Sequence, residues 1–259
     1  MQLLVSVRSA DEVEPALAGG ADIIDAKEPA NGPLGPVSSA TLAQIVSRVP
    51  SDTQFSLALG DVTSAEQVIG AIARLELPAR RQMSFLKLGL AGVPTAEQVQ
   101  EILAAAVRSS TLKPGPSSII AVAYADAERA GALPAELILR LASAAGVAGV
   151  LVDTYHKDGP GLMDLWSPAS LARWTALAKR SGLLVGVAGR LGSRDVAAVA
   201  RSGADAIGFR AAACDAGRSG VVSMGRVRLL RRCLDAVSLA GGHSAYTAGG
   251  LGETQGSLA

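Results

Sequence analysis

Residues 18–28 read AGGADIIDAKE, and this stretch contains the pattern that organises the whole chain. Glycine and small residues precede a short apolar run, which ends in Asp25 and Lys27. Glycine suits the C-terminus of a helix, and small residues allow a helix to pack closely on a sheet. The same order returns in SAAGVAGVLVDT (143–154) and RSGADAIGFR (201–210). The repeat indicates units in which a helix leads through a tight turn into a strand.

Short apolar runs of this kind recur along the chain. Most are nearly continuous rather than alternating, which is typical of parallel strands that are covered on both faces. Alanine- and leucine-rich amphipathic stretches separate them. The runs are LLVSV (3–7), DIIDAK (22–27), FSLALGD (55–61), FLKLGL (85–90), IIAVAYAD (119–126), GVLVDTY (149–155), LLVGVAGR (183–190) and AIGFRAA (206–212). The alternation predicts an α/β fold with a single (β/α)₈ TIM barrel of parallel strands over residues 1–238.

An open, doubly wound sheet also alternates strand and helix. Its dinucleotide-binding form needs G-x-G-x-x-G after the first strand, where this chain has VSVRSADE. We therefore expect no nicotinamide or flavin cofactor. Residues 239–259 are rich in glycine and serine without periodicity, which predicts a flexible C-terminal tail.

The composition limits the partners and the location that we expect. A net charge of +1 leaves no electrostatic footprint for nucleic acid or for an anionic membrane. Small molecules, or a second copy of the chain, are the expected partners. No apolar run is long enough to span a bilayer, and the N-terminus lacks the features of a secretory signal. Cys214 and Cys233 have no metal-ligand spacing, so we predict a cytoplasmic protein without a bound metal.

Lysine is rare in this chain, and the positions of the lysines indicate a catalytic role. The chain has 24 lysines and arginines, but lysine occurs only at positions 27, 87, 113, 157 and 179. Lys27 and Lys87 lie at the ends of predicted strands, and Lys157 lies just beyond another. In a barrel these ends form the catalytic face. A lysine that is desolvated or close to another cation can lose its proton and attack a carbonyl to form an imine.

Carboxylates accompany these lysines at the strand ends: Asp25, Asp61, Asp126 and Asp153. They offer acid and base groups beside a nucleophilic amine. One Lys–Asp pair by itself is better explained as an ion pair at the barrel rim. Because three of the five lysines lie at strand ends, we favour a catalytic set in which Asp126 is a further candidate.

Turns after the last two strands are candidates for phosphate binding. Gly189, Arg190 and Gly192 follow the seventh strand, and Arg210 and Ala211 follow the eighth. Barrels often hold a phosphate there with backbone N–H groups. Ordinary glycine turns with surface arginines explain this sequence equally well.

The combination of motifs resembles the (5-formylfuran-3-yl)methyl phosphate synthase family of methanofuran biosynthesis. The motifs are LLVSV, GGADIIDAKEP with NGPLG, KLGLAG, AYADA, VDTYHKDG and FRAAAC, spread from about residue 3 to residue 235. The resemblance implies a carbon–oxygen lyase acting on phosphates, without a cofactor. Such an enzyme condenses two molecules of glyceraldehyde 3-phosphate into a furan aldehyde phosphate, with loss of phosphate and water.

The resemblance also assigns roles to individual residues. It makes Lys27 the imine-forming residue and Lys87 the proton acceptor, and it places Asp153 and Lys157 in the same site. Asp25 either moves protons or orients Lys27. Two other functions stay open, namely a class I aldolase that forms a linear sugar phosphate, and an inactive barrel that binds a phosphorylated metabolite.

Overall fold

The fold is a closed barrel of eight parallel strands that pair in chain order, with the first strand also paired to the last. The structure is a computed structural model that describes residues 1–75, 85–111 and 118–246. The predicted (β/α)₈ barrel is therefore confirmed. Lys113 and residues 247–259 of the predicted tail lie outside the described residues.

Each apolar run that was predicted to be a strand forms one. The strands are β1 (Gln2–Val7), β2 (Ile23–Ala26), β3 (Gln54–Asp61), β4 (Phe85–Gly89), β5 (Ser118–Tyr124), β6 (Gly149–Asp153), β7 (Leu184–Val187) and β8 (Ala206–Phe209). The helices are α1 (Val13–Ala18), α2 (Ser39–Arg48), α3 (Ala65–Ala73), α4 (Ala96–Thr111), α5 (Ala135–Ala145), α6 (Leu162–Leu165), α7 (Pro168–Arg180), α8 (Val196–Arg201) and α9 (Met224–Tyr246). Several predicted strands extend too far at their C-terminal ends, because the polar residues there belong to the loops that form the site.

The last helix continues further than the sequence predicts. α9 runs to Tyr246, into the segment that was assigned to the tail. Gly241 and Gly242 disfavour helix, but extending an existing helix adds a hydrogen bond for each residue that is fixed. Within the described ranges, none of the helices combines the length and the apolar character that crossing a membrane would need.

Two apolar clusters stabilise the barrel. The larger one lies between the strands and the helices and includes Leu3, Val5 and Ile24. The smaller one contains Ile120, Val122 and Leu151. Because side chains alternate along a strand, this second set faces the inside of the barrel. The polar residues that share the inner face define the site.

An irregularity in β3 changes which side chain faces inward near its end. The pairing of β3 with β4 shifts between Ala58 and Asp61, and Gly60 has a φ of 97°. With regular alternation, residue 60 would follow Ala58 on the inner face. The bulge puts Asp61 there instead, where its Oδ1 accepts a 2.6 Å hydrogen bond from Tyr124 Oη.

Candidate active site

A cavity of about 340 Å³ opens at the C-terminal ends of the strands. This volume is within the usual range for small-molecule sites, roughly 300–1,000 Å³. Its lining includes Lys27, Lys87, Asp153, Lys157, Gly189, Arg190, Arg210, Ala211 and Arg218. The structure thus brings together most of the residues that the sequence singled out, from β2, β4, β6 and the loops after β7 and β8. Asp25 lies beneath this cavity, and Asp126 and Gly192 are not part of its lining.

Asp25 is buried and holds Lys87 rather than Lys27. Its Oδ2 lies 2.6 Å from Lys87 Nζ and accepts a 2.8 Å hydrogen bond from Ser6 Oγ. Its Oδ1 accepts a 2.6 Å hydrogen bond from Ser56 Oγ. Burial by itself would raise the pKa of Asp25, but the charges of Lys87 and Lys27 outweigh burial and lower that pKa. Asp25 is therefore an ionised anchor, and the proposal that it orients Lys27 does not fit these contacts.

Lys27 is the one lysine in the described ranges that lacks a partner. It is 7% exposed, and among the described residues its Nζ makes neither a hydrogen bond nor an ion pair within 4.0 Å. Burial lowers its pKa from 10.5 to about 7, with Asp153 opposing the shift and Lys87 and Lys157 adding to it. A substantial fraction of this amine is neutral at neutral pH, as a nucleophile requires.

Asp153 and Lys157 form the second ion pair of the site. Asp153 Oδ1 lies 2.6 Å from Lys157 Nζ and accepts a 2.7 Å hydrogen bond from the Thr154 N–H group. Burial raises the pKa of Asp153, but Lys157 and Lys27 outweigh burial and lower it. No group in the described ranges donates a hydrogen bond to Oδ2. This second oxygen is therefore available for proton transfer.

Asp126 supports the loop that carries Lys157. Its Oδ1 accepts a 2.7 Å hydrogen bond from the Tyr155 N–H group, and its Oδ2 accepts a 2.9 Å bond from the His156 N–H group. Both oxygens are used by backbone groups, and the side chain is buried. The sequence named Asp126 as a further catalytic candidate, whereas these contacts give it a positioning role.

The turn after β7 presents free backbone donors to the cavity. Gly189 has a φ of 112° and Arg190 a φ of 56°, a conformation that costs energy for a residue with a side chain. The turn is held by the Leu162 N–H group, which donates to Gly189 O at 2.9 Å, and by Arg190 Nη1, which donates to Lys157 O. In the described part of the chain, the N–H groups of Gly189, Arg190 and Leu191 donate to no protein acceptor. Such an array of N–H groups suits an anion.

Gly192 serves this turn without lining the cavity. Its N–H group donates a 2.8 Å hydrogen bond to Asp195 Oδ2. The N–H group is therefore not free for a phosphate, although the sequence placed Gly192 among the phosphate-binding residues. Ala211 does line the cavity, and its backbone is not in the left-handed region. An alanine therefore causes no backbone strain at this position.

Arg210 is committed to the protein itself. Nη1 donates to Glu12 Oε2 and to Ser6 O, Nη2 to Glu12 Oε1 and Gly220 O, and Nε to Arg218 O. These bonds use all the N–H groups that a guanidinium has. The prediction that Arg210 contacts a phosphate is not supported by this arrangement, because no donor remains. Sequence analysis could not anticipate this, since Glu12 and Ser6 are close to Arg210 only in the folded chain.

Three residues of the site were missed by the sequence analysis. Ser6 and Ser56 anchor Asp25, and each interrupts an otherwise apolar strand. A polar residue at the same depth of two buried strands is the signal that could have identified them. Arg218 lies in an irregular loop, and nothing in its local sequence distinguishes it from a surface arginine.

Gly89 makes room for the hydrogen bond between Asp61 and Tyr124. A Cβ at Gly89 would lie 2.1 Å from Asp61 Oδ1 and 2.7 Å from Tyr124 Oη. Tyr124 is almost fully buried, so the bond cannot simply be transferred to water. Gly89→Ala is therefore expected to lower the free energy of unfolding by about 2–4 kcal/mol, from overpacking and loss of a buried hydrogen bond.

Urea denaturation of the wild type and of Gly89→Ala would measure this change. Gly225→Ala is the matched control, because a Cβ at Gly225 meets nothing closer than Ser223 Oγ at 3.9 Å. That variant should be unchanged or more stable by up to about 1 kcal/mol, since alanine favours helix. Equal stability of Gly89→Ala and the wild type would show that the inner end of β4 tolerates a side chain.

Comparison with known proteins matches most of the chain to one family. The chain matches the family model described as 4-HFC-P synthase over residues 3–231. It is 34% identical over 240 residues to the (5-formylfuran-3-yl)methyl phosphate synthase of Methanopyrus kandleri, which covers 90% of this chain and 98% of that protein. It is 31% identical over 237 residues to the protein of the same name from Methanothermobacter thermautotrophicus, covering 91% and 99% of the two chains.

Solved structures that resemble this one share the fold. The phosphoribosyl anthranilate isomerase of Thermus thermophilus matches with a TM-score of 0.61 and 14% sequence identity, over 92% of this chain and 100% of that chain. At such low identity the likeness supports the barrel architecture alone. Within the described ranges, no group of three or more His, Cys, Asp or Glu is arranged to hold a metal ion.

Proposed function

The chain belongs to the 4-HFC-P synthase family, whose relatives here are named (5-formylfuran-3-yl)methyl phosphate synthase, and we propose that it forms this furan from two molecules of glyceraldehyde 3-phosphate. The family names indicate a synthase. The substrate, the imine mechanism and the class of carbon–oxygen lyase acting on phosphates are our proposal. The atom balance of the reaction requires the release of one phosphate and two molecules of water.

The observation that carries the proposal is the state of Lys27. Two of the cavity lysines are paired with carboxylates at 2.6 Å, whereas the buried Lys27 has no partner in the part of the chain that the structure describes. A paired ammonium is a poor nucleophile because its lone pair is held by a proton. The amine with a pKa of about 7 is the group that can attack an aldehyde.

An imine on Lys27 would act as an electron sink for the first triose phosphate. Removal of a proton from the carbon next to the imine gives an enamine, and the neighbouring carbon–oxygen bond can then break to release phosphate. The enamine carbon can also attack the aldehyde of the second triose phosphate. Both steps need groups that accept and return protons close to Lys27.

Lys87 and Asp153 are the groups that we assign to these proton transfers. Lys87 is ion-paired with Asp25, so it first donates a proton and becomes an acceptor only afterwards. Asp25 keeps its charge and stabilises the returning proton. Asp153 has a free Oδ2 in the same cavity, and Lys157 compensates its charge from the other oxygen. The phosphate of the first triose would bind the N–H groups of residues 189–191 before it is released.

The direct experiment is incubation of the protein with glyceraldehyde 3-phosphate. We expect a furan chromophore and inorganic phosphate to appear in equal amounts. A linear sugar phosphate without release of phosphate would instead favour the class I aldolase. No turnover, together with tight binding of the substrate, would favour the inactive metabolite-binding barrel.

The pH dependence of imine formation should follow Lys27. Its pKa is lowered, so the neutral amine is the main form above pH 7 and is lost as the pH falls below that value. Trapping of the triose on the protein with cyanoborohydride should rise about tenfold per pH unit below 7 and level off above about pH 8. Intact-protein mass spectrometry measures the rate. A rate that still climbs between pH 9 and 10 would show an ordinary lysine.

Other properties expected from the sequence stay proposals. We propose a cytoplasmic location and reaction without a cofactor, with glyceraldehyde 3-phosphate as the small-molecule partner and no nucleic acid or membrane partner. Association of several copies of the chain stays a prediction. So does the choice between methanofuran and an analogue as the end product.

A further inference from the structure

Arg218 is a cation of the cavity that the reaction described above does not use. It lies in the loop between β8 and α9, and it lines the same cavity as Lys157 and Gly189. Its Nη2 donates to Gly32 O at 2.7 Å and to Pro29 O at 3.3 Å. In the described part of the chain, Nε and Nη1 donate to no protein acceptor. Arg218 therefore offers free N–H groups from a half-buried guanidinium.

The loop that carries Arg218 is held in place from below. The buried guanidinium of Arg210 donates to Arg218 O at 3.0 Å and to Gly220 O at 2.7 Å. Arg210 is itself anchored by its ion pair with Glu12, which is also buried. On the other side, Arg218 is attached to the loop that follows β2 and Lys27. The guanidinium is thus preorganised over the cavity, unlike that of a mobile surface arginine.

The charges of the cavity favour an anion at Arg218. Asp25 and Asp153, the two buried carboxylates beside the cavity lysines, already have a lysine each, Asp25 with Lys87 and Asp153 with Lys157. Among the described residues, no carboxylate lies within 4.0 Å of the Arg218 guanidinium. Burial lowers the pKa of Arg218, and the carboxylates of Asp153 and Glu28, which lie beyond 4.0 Å, offset this only in part because Arg210 adds to the lowering. A bound anion would offset the cost of burying this unpaired guanidinium.

We propose that Arg218 binds the phosphate of the second triose phosphate, in a position separate from the backbone N–H groups of residues 189–191. The inference rests on the proposed function, because a reaction between two phosphorylated molecules requires two phosphate positions. The planar guanidinium matches the oxygens of a phosphate, and its free N–H groups supply the donors. Residues 189–191 and Arg218 line the same cavity from different loops, so the two phosphate positions are carried by separate parts of the chain.

Isothermal titration calorimetry with inorganic phosphate tests this assignment. We expect the wild type to bind two phosphates per chain and Arg218→Gln to bind one. Arg218→Gln should raise the KM for glyceraldehyde 3-phosphate about 10- to 100-fold, as loss of a charged hydrogen bond predicts. Cyanoborohydride trapping of one triose on Lys27 should continue. Arg218→Lys, which keeps the charge but not the guanidinium, should lie between the two.

Arg226→Gln is the matched control. Arg226 lies in α9, outside the cavity, and its Nε donates a 2.7 Å hydrogen bond to Asp215 Oδ1 in the loop before that helix. This variant should bind two phosphates and keep the KM of the wild type. If Arg218→Gln behaves like the control, or if it loses imine trapping and both phosphates, the assignment is overturned.

Furan formation tests the proposed function, and the phosphate stoichiometry tests the Arg218 site independently of it. If the wild type forms no furan but its phosphate stoichiometry still falls from two to one in Arg218→Gln, the synthase proposal fails while the anion site stands. If furan forms and the stoichiometry does not change, Arg218 serves only to join the two loops. A wild type that binds one phosphate overturns the second position as well.

Discussion

Lys27→Met is expected to abolish imine trapping and to lower turnover by about 10⁴-fold or more, the scale of losing a catalytic nucleophile. No other cavity lysine can replace Lys27, because Lys87 and Lys157 are each held in a 2.6 Å ion pair. Methionine has nearly the same length and can fill the same space. The loss should therefore be in the chemistry and not in the fold. Mass spectrometry after cyanoborohydride treatment, together with phosphate release, measures it.

The same substitution should raise the stability of the fold. The pKa of Lys27 is 10.5 as an unperturbed side chain and about 7 in the folded protein. Between these values the unfolded chain binds a proton that the folded chain does not, so the fold is penalised. The penalty is absent above about pH 10.5, grows as the pH falls and is complete below 7. Lys27→Met removes it, with a gain of about 1–4 kcal/mol at pH 7 that shrinks towards pH 10.

Thermal unfolding of Lys27→Met at pH 7 and pH 10 checks the sign of this effect. Lys179→Met is the control, since Lys179 is a half-exposed lysine paired with Asp205. Its removal should change the stability by less than about 1 kcal/mol at either pH. A lower melting temperature for Lys27→Met at pH 7 would contradict the buried neutral amine, and a triose still trapped on that variant would exclude Lys27 as the nucleophile.

Substitution of either residue of the Asp25–Lys87 pair should have the second largest effect on stability and turnover. Lys87→Met leaves Asp25 as a buried carboxylate with only the two serine donors, and Asp25→Asn leaves a buried ammonium without a counter-charge. Each single variant should lose about 3–5 kcal/mol of stability, because an unpaired charge is costly in the interior. Each should also lower turnover by about 10²–10⁴-fold, the range for loss of an acid–base group.

The double variant separates the structural from the chemical contribution. Asp25→Asn with Lys87→Met removes both charges, and the asparagine can still accept a bond from a serine hydroxyl. The double variant should regain most of the stability that each single variant loses, whereas its turnover should stay low. Asp215→Asn is the control, because Asp215 is an exposed partner of Arg226 and should cost less than about 1 kcal/mol. If the losses of the single variants simply add up in the double variant, the two side chains are not coupled.

Acid unfolding gives an independent check on Asp25. Its pKa is lowered in the folded protein, so its contribution to stability is present above the ordinary value of 3.8 and is lost as the pH falls through the folded pKa. The double variant lacks this contribution. Its stability should therefore fall less steeply than that of the wild type in the acid range, as measured by urea denaturation at a series of pH values. Parallel profiles would show that Asp25 is not the buried anion described above.

Two features of the site differ from what local sequence suggested. Asp25 and Lys27 lie two residues apart and share a face, so a direct pair between them was a natural inference. In the fold, Asp25 instead meets Ser6 from β1, Ser56 from β3 and Lys87 from β4. Arg210 appeared free to bind phosphate, but Glu12 lies beside it after a separation of 198 residues along the chain.

The amino-acid sequence by itself determined the strands, their order and the end of the barrel where the chemistry lies. These depend on short apolar runs and on lysines at their ends, and both are local patterns. Only the tertiary structure decided which of the three cavity lysines lacks a carboxylate partner among the described residues, that Asp153 keeps a free oxygen, and that Arg218 rather than Arg210 keeps free N–H groups. Closing the barrel brings distant strands into contact. Because the charged side chains are buried there, each contact between them has a large effect on their pKa values. That is why, among the described residues, Lys27 and not Lys87 or Lys157 is the cavity amine without a carboxylate partner, and burial lowers its pKa to about 7.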